Sequence, residues 1–291
     1  MMTQKSQALL RAERHIRRQR FTKKTVLTVV IFAFALLYFF PILYMFLTGM
    51  KTEIQAIHPR IIFEPTFETY EKIFTDASMY SYLKNSLFQV TVSTLVSLLL
   101  GIPAAFAIQF GRFKKPKTNS FLHSWFITTI LLPPVAIMVP LYLFYNAAGL
   151  MNRIWGLTIL YIGFHIPIVI WMIHSFMTDI PRSLLEASEI DGCSRVQQIL
   201  YVVLPLVKMG IFSSGMLVAV FVWNEFLLSF SLTTNSTATL AVFMSRFREQ
   251  QGQFTAQLSA SATICTLPAL LLGWSTQKAL VKGLTMGAVK G

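Results

Sequence analysis

Twelve carboxylates, five histidines and two cysteines are all that this 291-residue chain offers for acid–base, metal or nucleophilic chemistry. Their spacing argues against a catalytic centre. Cys193 and Cys265 are isolated from other Cys or His residues, which suits neither a zinc site nor a disulfide. His165 and His174 are nine residues apart, two and a half helical turns, so they point to opposite faces. No carboxylate relay accompanies them, and they read as packing or interfacial residues; His123 lies nearer one end of its apolar run. Glu225 lies seventeen residues beyond Lys208, about 25 Å along a helix. It is therefore expected at the membrane interface beside Trp223 as a hydrated carboxylate, with a gate or substrate contact as the other reading. The sequence has no Gly-x-x-x-x-Gly-Lys-Ser/Thr loop, so the chain is not expected to bind or hydrolyse ATP, and no residue is assigned a catalytic or metal-binding role.

The one dense group of acids lies in the segment from Asp179 to Pro205. Asp179 is placed to cap a helix whose first turn tolerates Pro181, and Gly192 supplies the left-handed residue that ends it. Ser194 then caps a second short helix, expected to stop before Pro205. Leu184, Leu185 and Ala187 give the first helix a small apolar face, while Glu186, Glu189 and Asp191 surround it with carboxylates. A helix pair lying on lipid would be basic, so this acidic element suits a protein groove; a solvated loop is the other reading.

These residues must be positioned by an unusually apolar chain: 54% of it is apolar and only 13% charged, about half the roughly 25% charged share of soluble domains. That excludes a secreted disulfide scaffold, a disordered region and most soluble enzymes. Six apolar runs, roughly 25–48, 86–110, 121–144, 155–177, 206–230 and 256–275, each approach the ~20 residues a membrane-crossing helix requires. The expected fold is all-α, a polytopic membrane protein with six transmembrane helices. The first run is too long and too far from the start for a cleaved signal peptide. An even number of spans puts both termini on one side, and eighteen of the 25 Lys and Arg fall on that side. Basic residues prefer the cytoplasmic face, so both termini are expected there, and the net charge of +13 records orientation without a nucleic-acid partner. The basic tail, residues 1–24, reads as a short amphipathic helix on anionic lipid or as a partner contact.

Pro41, Pro103, Pro133, Pro134, Pro140, Pro167 and Pro268 fall within the runs and are expected to kink them, as suits a transporter or a static bundle alike. The first outer segment, Lys51 to Asn85, is mildly acidic and rich in aromatics. It can fold against the membrane or a partner but is too short for a catalytic domain.

The acidic segment resembles the "EAA" signature of permease subunits of bacterial binding-protein-dependent ABC importers, Glu-Ala-Ala, three residues, Gly, nine residues, Ile-x-Leu-Pro. The match falls on Glu186, Ala187, Gly192, Leu204 and Pro205, with Asp191 as in the carbohydrate branch. Ser188 replaces the second Ala and Val202 the Ile, and neither change is expected to disturb docking. Asn85-Ser86, Pro140-Leu-Tyr-Leu, Gly149-Leu150, Ile180-Pro181, Trp223-Asn224-Glu225-Phe226 and the terminal Gly283 to Gly291 are similar to the maltose-type branch. The likeness covers nearly all of 25–291, the transmembrane domain, and leaves out the tail.

The resemblance implies that 179–205 is a cytoplasmic coupling helix between membrane helices 4 and 5, docked in a cleft of a separate ATP-binding subunit. It gives Glu186 a charge-assisted bond to a basic residue of that subunit and Gly192 the turn between the short helices, with Ala187, Ser188, Asp191, Leu204 and Pro205 in the same contact. It also implies a second, non-identical permease subunit, two ATP-binding subunits holding ATP and Mg, and an extracytoplasmic solute-binding protein. The location implied is the bacterial cytoplasmic membrane, in contact with lipid. Outer residues 233–255, with Arg246, Arg248, Gln250, Gln251 and Gln253, correspond to a loop facing the binding protein, and Gly287 to Gly291 to a tail touching the ATPase interface. The function implied is ATP-driven import of a sugar or oligosaccharide. A non-sugar solute such as a glycerol phosphate or polyol is the alternative within the superfamily. A membrane enzyme or proton-coupled transporter would need clustered His, Asp or Ser groups, or intramembrane carboxylates, beyond Glu225 alone.

Overall fold

The computed structural model describes residues 4–111, 113, 117–247 and 254–288, and among these it contains helices and turns but no strand. The first helix, α1, runs unbroken from Gln4 to Gly49. The basic tail therefore continues the membrane helix instead of forming a separate surface helix, because no Gly or Pro interrupts residues 4–40. Two short helices follow, α2 (Glu53–Ala56) and α3 (Glu68–Thr75). The next, α4 (Ala77–Phe110), starts nine residues before the expected Ser86, since the Asp76 carboxylate accepts the Ser78 N–H at 2.8 Å and caps it there.

The third apolar run is a broken span. Helix α5 (Thr118–Ile130) ends before Pro133, and a 3-10 turn at Pro134–Ile137 leads into α6 (Met138–Ala147), the two halves meeting at 87°. Adjacent prolines remove two consecutive N–H donors, so the helix must break here. Pro140 sits at the third residue of α6, where an N–H has no helical acceptor, and Pro41, Pro103, Pro167 and Pro268 lie inside continuous helices.

Helix α7 (Ile154–Met177) is followed by α8 (Arg182–Ile190), α9 (Arg195–Gln197), a π-turn over Gln198–Val203 and α10 (Leu204–Leu206). A bend of 84° at Val207 leads into α11 (Lys208–Asn224), then α12 (Leu227–Leu232), α13 (Leu240–Ser245) and α14 (Thr255–Ala288). Four stretches are each long and apolar enough to cross a membrane: Lys23–Gly49, Ala77–Phe110, Ile154–Met177 and Thr255–Trp274. Counting each of the two bent pairs as one span brings the number among the described residues to six; without them it is four.

The core forms where α4 packs along α7 and α11 leans on both. Gly101 permits the approach: a Cβ there would stand 2.5 Å from Val169 Cγ1. Gln89, fully buried, donates to the Ile154 carbonyl at 2.9 Å and accepts from the Thr158 hydroxyl at 3.0 Å, so a polar group joins α4 to α7 without an unpaired end. By contrast α1 leaves Phe32, Leu36, Leu37 and Tyr38 exposed, as a lipid-facing or partner-facing helix would.

Candidate functional site

Helix α7 does not stop cleanly at Met177: the Thr178 N–H bonds the His174 carbonyl and the Ile180 N–H the Met177 carbonyl. The cap position falls on Pro181, in extended conformation with φ −62° and ψ 135°, two residues beyond the expected Asp179. From Arg182 the first short helix runs to Ile190 and ends as expected. Gly192 has φ +84°, its N–H bonds the Glu189 carbonyl at 3.0 Å, and the Cys193 N–H bonds the Ser188 carbonyl at 2.9 Å, the Schellman arrangement. No atom lies within 4 Å of a Cβ built on Gly192, so the conformation and not crowding demands glycine. Gly192→Ala is expected to cost about 1 kcal/mol and Gly192→Asn under half of that, read from thermal unfolding midpoints.

Ser194 starts the second rod with a reciprocal pair of bonds: its hydroxyl accepts the Gln197 N–H, and the Gln197 side chain accepts the Ser194 N–H at 2.8 Å. The rod does not stop before Pro205 but continues to Leu206. The missing Pro205 N–H falls just after the π-turn, where the bonding register has already widened.

The two rods are tied to each other and to the bundle. Glu189 Oε1 lies 2.6 Å from an Arg195 terminal nitrogen. Leu185, 4% exposed, lines a pocket with Phe110 at the end of α4 and belongs to the same buried apolar cluster as Met177 at the end of α7 and Val203 and Val207 before α11. Arg182 adds a bond to the Gln109 carbonyl at 3.3 Å.

Sorting the expected contact residues by exposure separates two groups. Glu186, Ala187, Asp191, Gly192 and Pro205 are exposed, and Ile190, Val196 and Tyr201 add apolar surface beside them. Ser188 is buried and faces the second rod, and Leu204 is half-buried. The apolar face expected of Leu184, Leu185 and Ala187 reduces to Leu185, because Leu184 and Ala187 point outward. The buried Gln198, which contacts Ser188, was missed: its polarity gave no sign that it lies at the centre of the element.

At the opposite end, residues 233–247 are lashed to the start of α4. Asn85 donates to the carbonyls of Ser236 at 3.1 Å and Ala238 at 3.0 Å, Ser86 accepts the Leu240 N–H at 2.7 Å, and the Tyr82 hydroxyl donates to Asn235 at 2.8 Å. Asn152, with φ +52°, accepts the Thr234 N–H at 3.0 Å from across the gap. Arg246 was expected as a free hydrogen-bonding group; it donates to Ser78 Oγ at 2.8 Å and lies over the rings of Tyr82 and Phe243. Arg248, Gln250, Gln251 and Gln253 lie outside the described residues, as do the last three residues of the Gly287 to Gly291 tail. Glu53 reaches across to accept the N–H groups of Ala256 and Gln257, both at 2.9 Å, at the start of α14.

Glu225 corrects the reading of a hydrated interfacial carboxylate. It is half-buried, accepts the hydroxyl of the fully buried Tyr161 at 2.7 Å, and accepts the N–H groups of Leu228 at 2.8 Å and Ser229 at 3.2 Å. The two histidines do part, as their spacing requires: His165 contacts Tyr161 and Phe221, and His174 meets the His123 ring at a tilt of 31°.

Residues 97–285 match the family model described as the binding-protein-dependent transport system inner membrane component. A probable ABC transporter permease protein of Sinorhizobium fredii is 32% identical over 93% of this chain and 97% of its own. The trehalose transport system permease protein SugB of Mycobacterium tuberculosis is 31% identical over 94% and 99%. Among solved structures, a bacterial ABC transporter for import of the acidic polysaccharide alginate superposes with a TM-score of 0.70, at 20% identity, over 90% of this chain and 97% of that one, which shows the shared fold. A membrane-spanning bundle, an exposed acidic turn packed against it and a family match over most of the chain lead to one assignment: this protein belongs to the inner membrane components of binding-protein-dependent ABC transport systems, a transport permease and not a catalyst.

Proposed function

We propose that the chain is one of two non-identical permease subunits of an ABC importer that carries a carbohydrate into the cytoplasm. Two separate subunits that hold ATP and Mg drive it, and an extracytoplasmic solute-binding protein supplies the sugar. The observation that carries this reading is the exposed Glu186–Asp191–Gly192 turn, which is acidic, stiff, and joined through Leu185 to the ends of three membrane helices. ATP-driven closure of the docked subunits would push on this element and turn the helices as bodies, exposing the pathway alternately to each side. The cytoplasmic placement of this face rests on the eighteen Lys and Arg that share its side. Sugar as cargo is supported by relatives named for trehalose, for trehalose and maltose, and for diacetylchitobiose.

Two measurements test it. Single cysteines at Ile62 and Asp191, in a background lacking Cys193 and Cys265, are probed with an impermeant thiol reagent on intact cells; Ile62 is expected to label and Asp191 not. Uptake and binding-protein affinity are then compared for trehalose, maltose, glycerol 3-phosphate and a polyol. Binding of glycerol 3-phosphate alone would sink the carbohydrate assignment, and labelling of Asp191 from outside would sink the orientation.

A further inference from the structure

Gln198 is a long polar side chain with no exposed surface. It occupies the narrow space between the two rods of the 179–206 element. Its amide nitrogen donates to the Leu185 carbonyl at 3.0 Å and to Ser188 Oγ at 2.9 Å, both on α8. Its amide oxygen accepts from Arg195 at 3.0 Å, and Arg195 returns to α8 through Glu189 at 2.6 Å. The result is a closed ring, Leu185 and Ser188 to Gln198 to Arg195 to Glu189, with every polar end of the carboxamide satisfied.

The ring stands at the one place where the element would otherwise flex. Between the rods the chain makes its left-handed turn at Gly192, a residue with no side chain to brace it. Gln198 is itself the first residue of the π-turn that leads to the bend at Val207 and into α11. A push on Glu186 or Asp191 reaches α11 by this route only if the angle between the rods is held. Without the ring, rotation about Gly192 would absorb it.

We propose that Gln198 is a positioning residue for energy coupling: it clamps the Glu186-bearing helix to the rod that enters α11, so that displacement of the exposed turn is delivered to the membrane helix. Ser188, standing where the signature has Ala, supplies one of the clamp's hydrogen-bond partners. The proposal rests on the reading of this element as the ATPase-docking site and adds to it a residue that never touches the ATPase.

The test uses the assembled transporter with ATP, Mg and vanadate, so no cargo need be known. Spin labels at Ser183 and Leu200, both exposed and neither among the expected ATPase contacts, report the angle between the rods, and labels at Trp125 and Phe221 report movement of α11 against α5. Gln198→Met keeps length and removes all three hydrogen bonds. ATPase co-purification and hydrolysis are expected within about twofold of wild type, the Ser183–Leu200 distance distribution to broaden, and the vanadate-trapped change in the Trp125–Phe221 distance to fall at least twofold. Gln198→Glu keeps the Arg195 contact but loses the donor to Leu185; it is expected to show the same defect and serves if the Met variant does not assemble. A wild-type Trp125–Phe221 change in either assembled variant overturns the proposal. Loss of the ATPase from both variants also overturns it, by placing Gln198 in the integrity of the docking face. Failure of the docking reading would be seen separately, as no ATPase on the wild-type protein.

Discussion

Glu186→Lys is expected to leave the protein inserted at wild-type level while ATPase co-purification falls at least tenfold and binding-protein-stimulated hydrolysis falls with it. The carboxylate is exposed on α8 and, among the described residues, makes no ion pair, so its replacement breaks none. Surface changes of that kind usually alter stability by no more than about 0.5 kcal/mol. Against a basic partner the change is of another order. Breaking a desolvated charge pair costs about 2–5 kcal/mol, and reversal adds repulsion. Glu186→Gln keeps the shape and an acceptor oxygen, so it should fall between the two. Glu68→Lys at the opposite end is the control: Glu68 pairs with Lys72 at 2.7 Å on an exposed helix and should leave the ATPase in place. Wild-type co-purification together with wild-type hydrolysis in Glu186→Lys would mean that the acidic turn does not dock the ATPase.

What the sequence made legible was local in origin. Runs of about twenty apolar residues announce membrane helices whatever surrounds them. Gly192 and Ser194 could be assigned because a left-handed turn and a helix cap depend on residues no more than five apart. Asp179 misled for the same reason inverted: the turn that continues α7 and the extended Pro181 took precedence over a plausible cap. Ser188 looked like a neutral stand-in for Ala, and its role emerges only with Gln198, ten residues on and folded back by the Gly192 turn. Farther contacts left no trace at all. Nothing in the order of residues pairs Asn85 with Ser236 and Ala238, or Glu53 with the first N–H groups of α14, because those pairs exist only once the helices have packed. The broken third run lies between: two adjacent prolines foretell a break but not its 87° angle.

Glu225 gives the second large effect, and it follows from such a distant contact. The carboxylate sits in the gap between α11 and α12, where the chain leaves helical geometry with φ −72° and ψ 118°. One oxygen accepts the Leu228 N–H, and the other accepts the Ser229 N–H and the Tyr161 hydroxyl from α7. Three donors thus bond one side chain, and Tyr161, which has no access to water, keeps only the Ser229 hydroxyl as another partner. Each buried donor left unpaired costs about 1–3 kcal/mol. Glu225→Leu is therefore expected to destabilise the folded protein by about 3–5 kcal/mol, after allowing for water reaching the half-exposed N–H groups. Glu225→Gln should cost about half as much, since its amide nitrogen cannot accept. Tyr161→Phe removes one donor together with its need for a partner, at about 1 kcal/mol. In the double variant Tyr161→Phe with Glu225→Leu the costs should not add, because the stranded hydroxyl is gone, and a coupling of about 1 kcal/mol or more is expected from thermal unfolding of the purified protein. A hydrated interfacial carboxylate would give the opposite pattern, small and additive effects. The distinction matters for transport because Glu225 ties α7, whose far end packs on Leu185, to α12 and so to residues 233–247 at the other end of the bundle. Glu225→Leu is therefore expected to loosen residues 233–247, read from their hydrogen-exchange protection, while leaving ATPase co-purification at wild-type level.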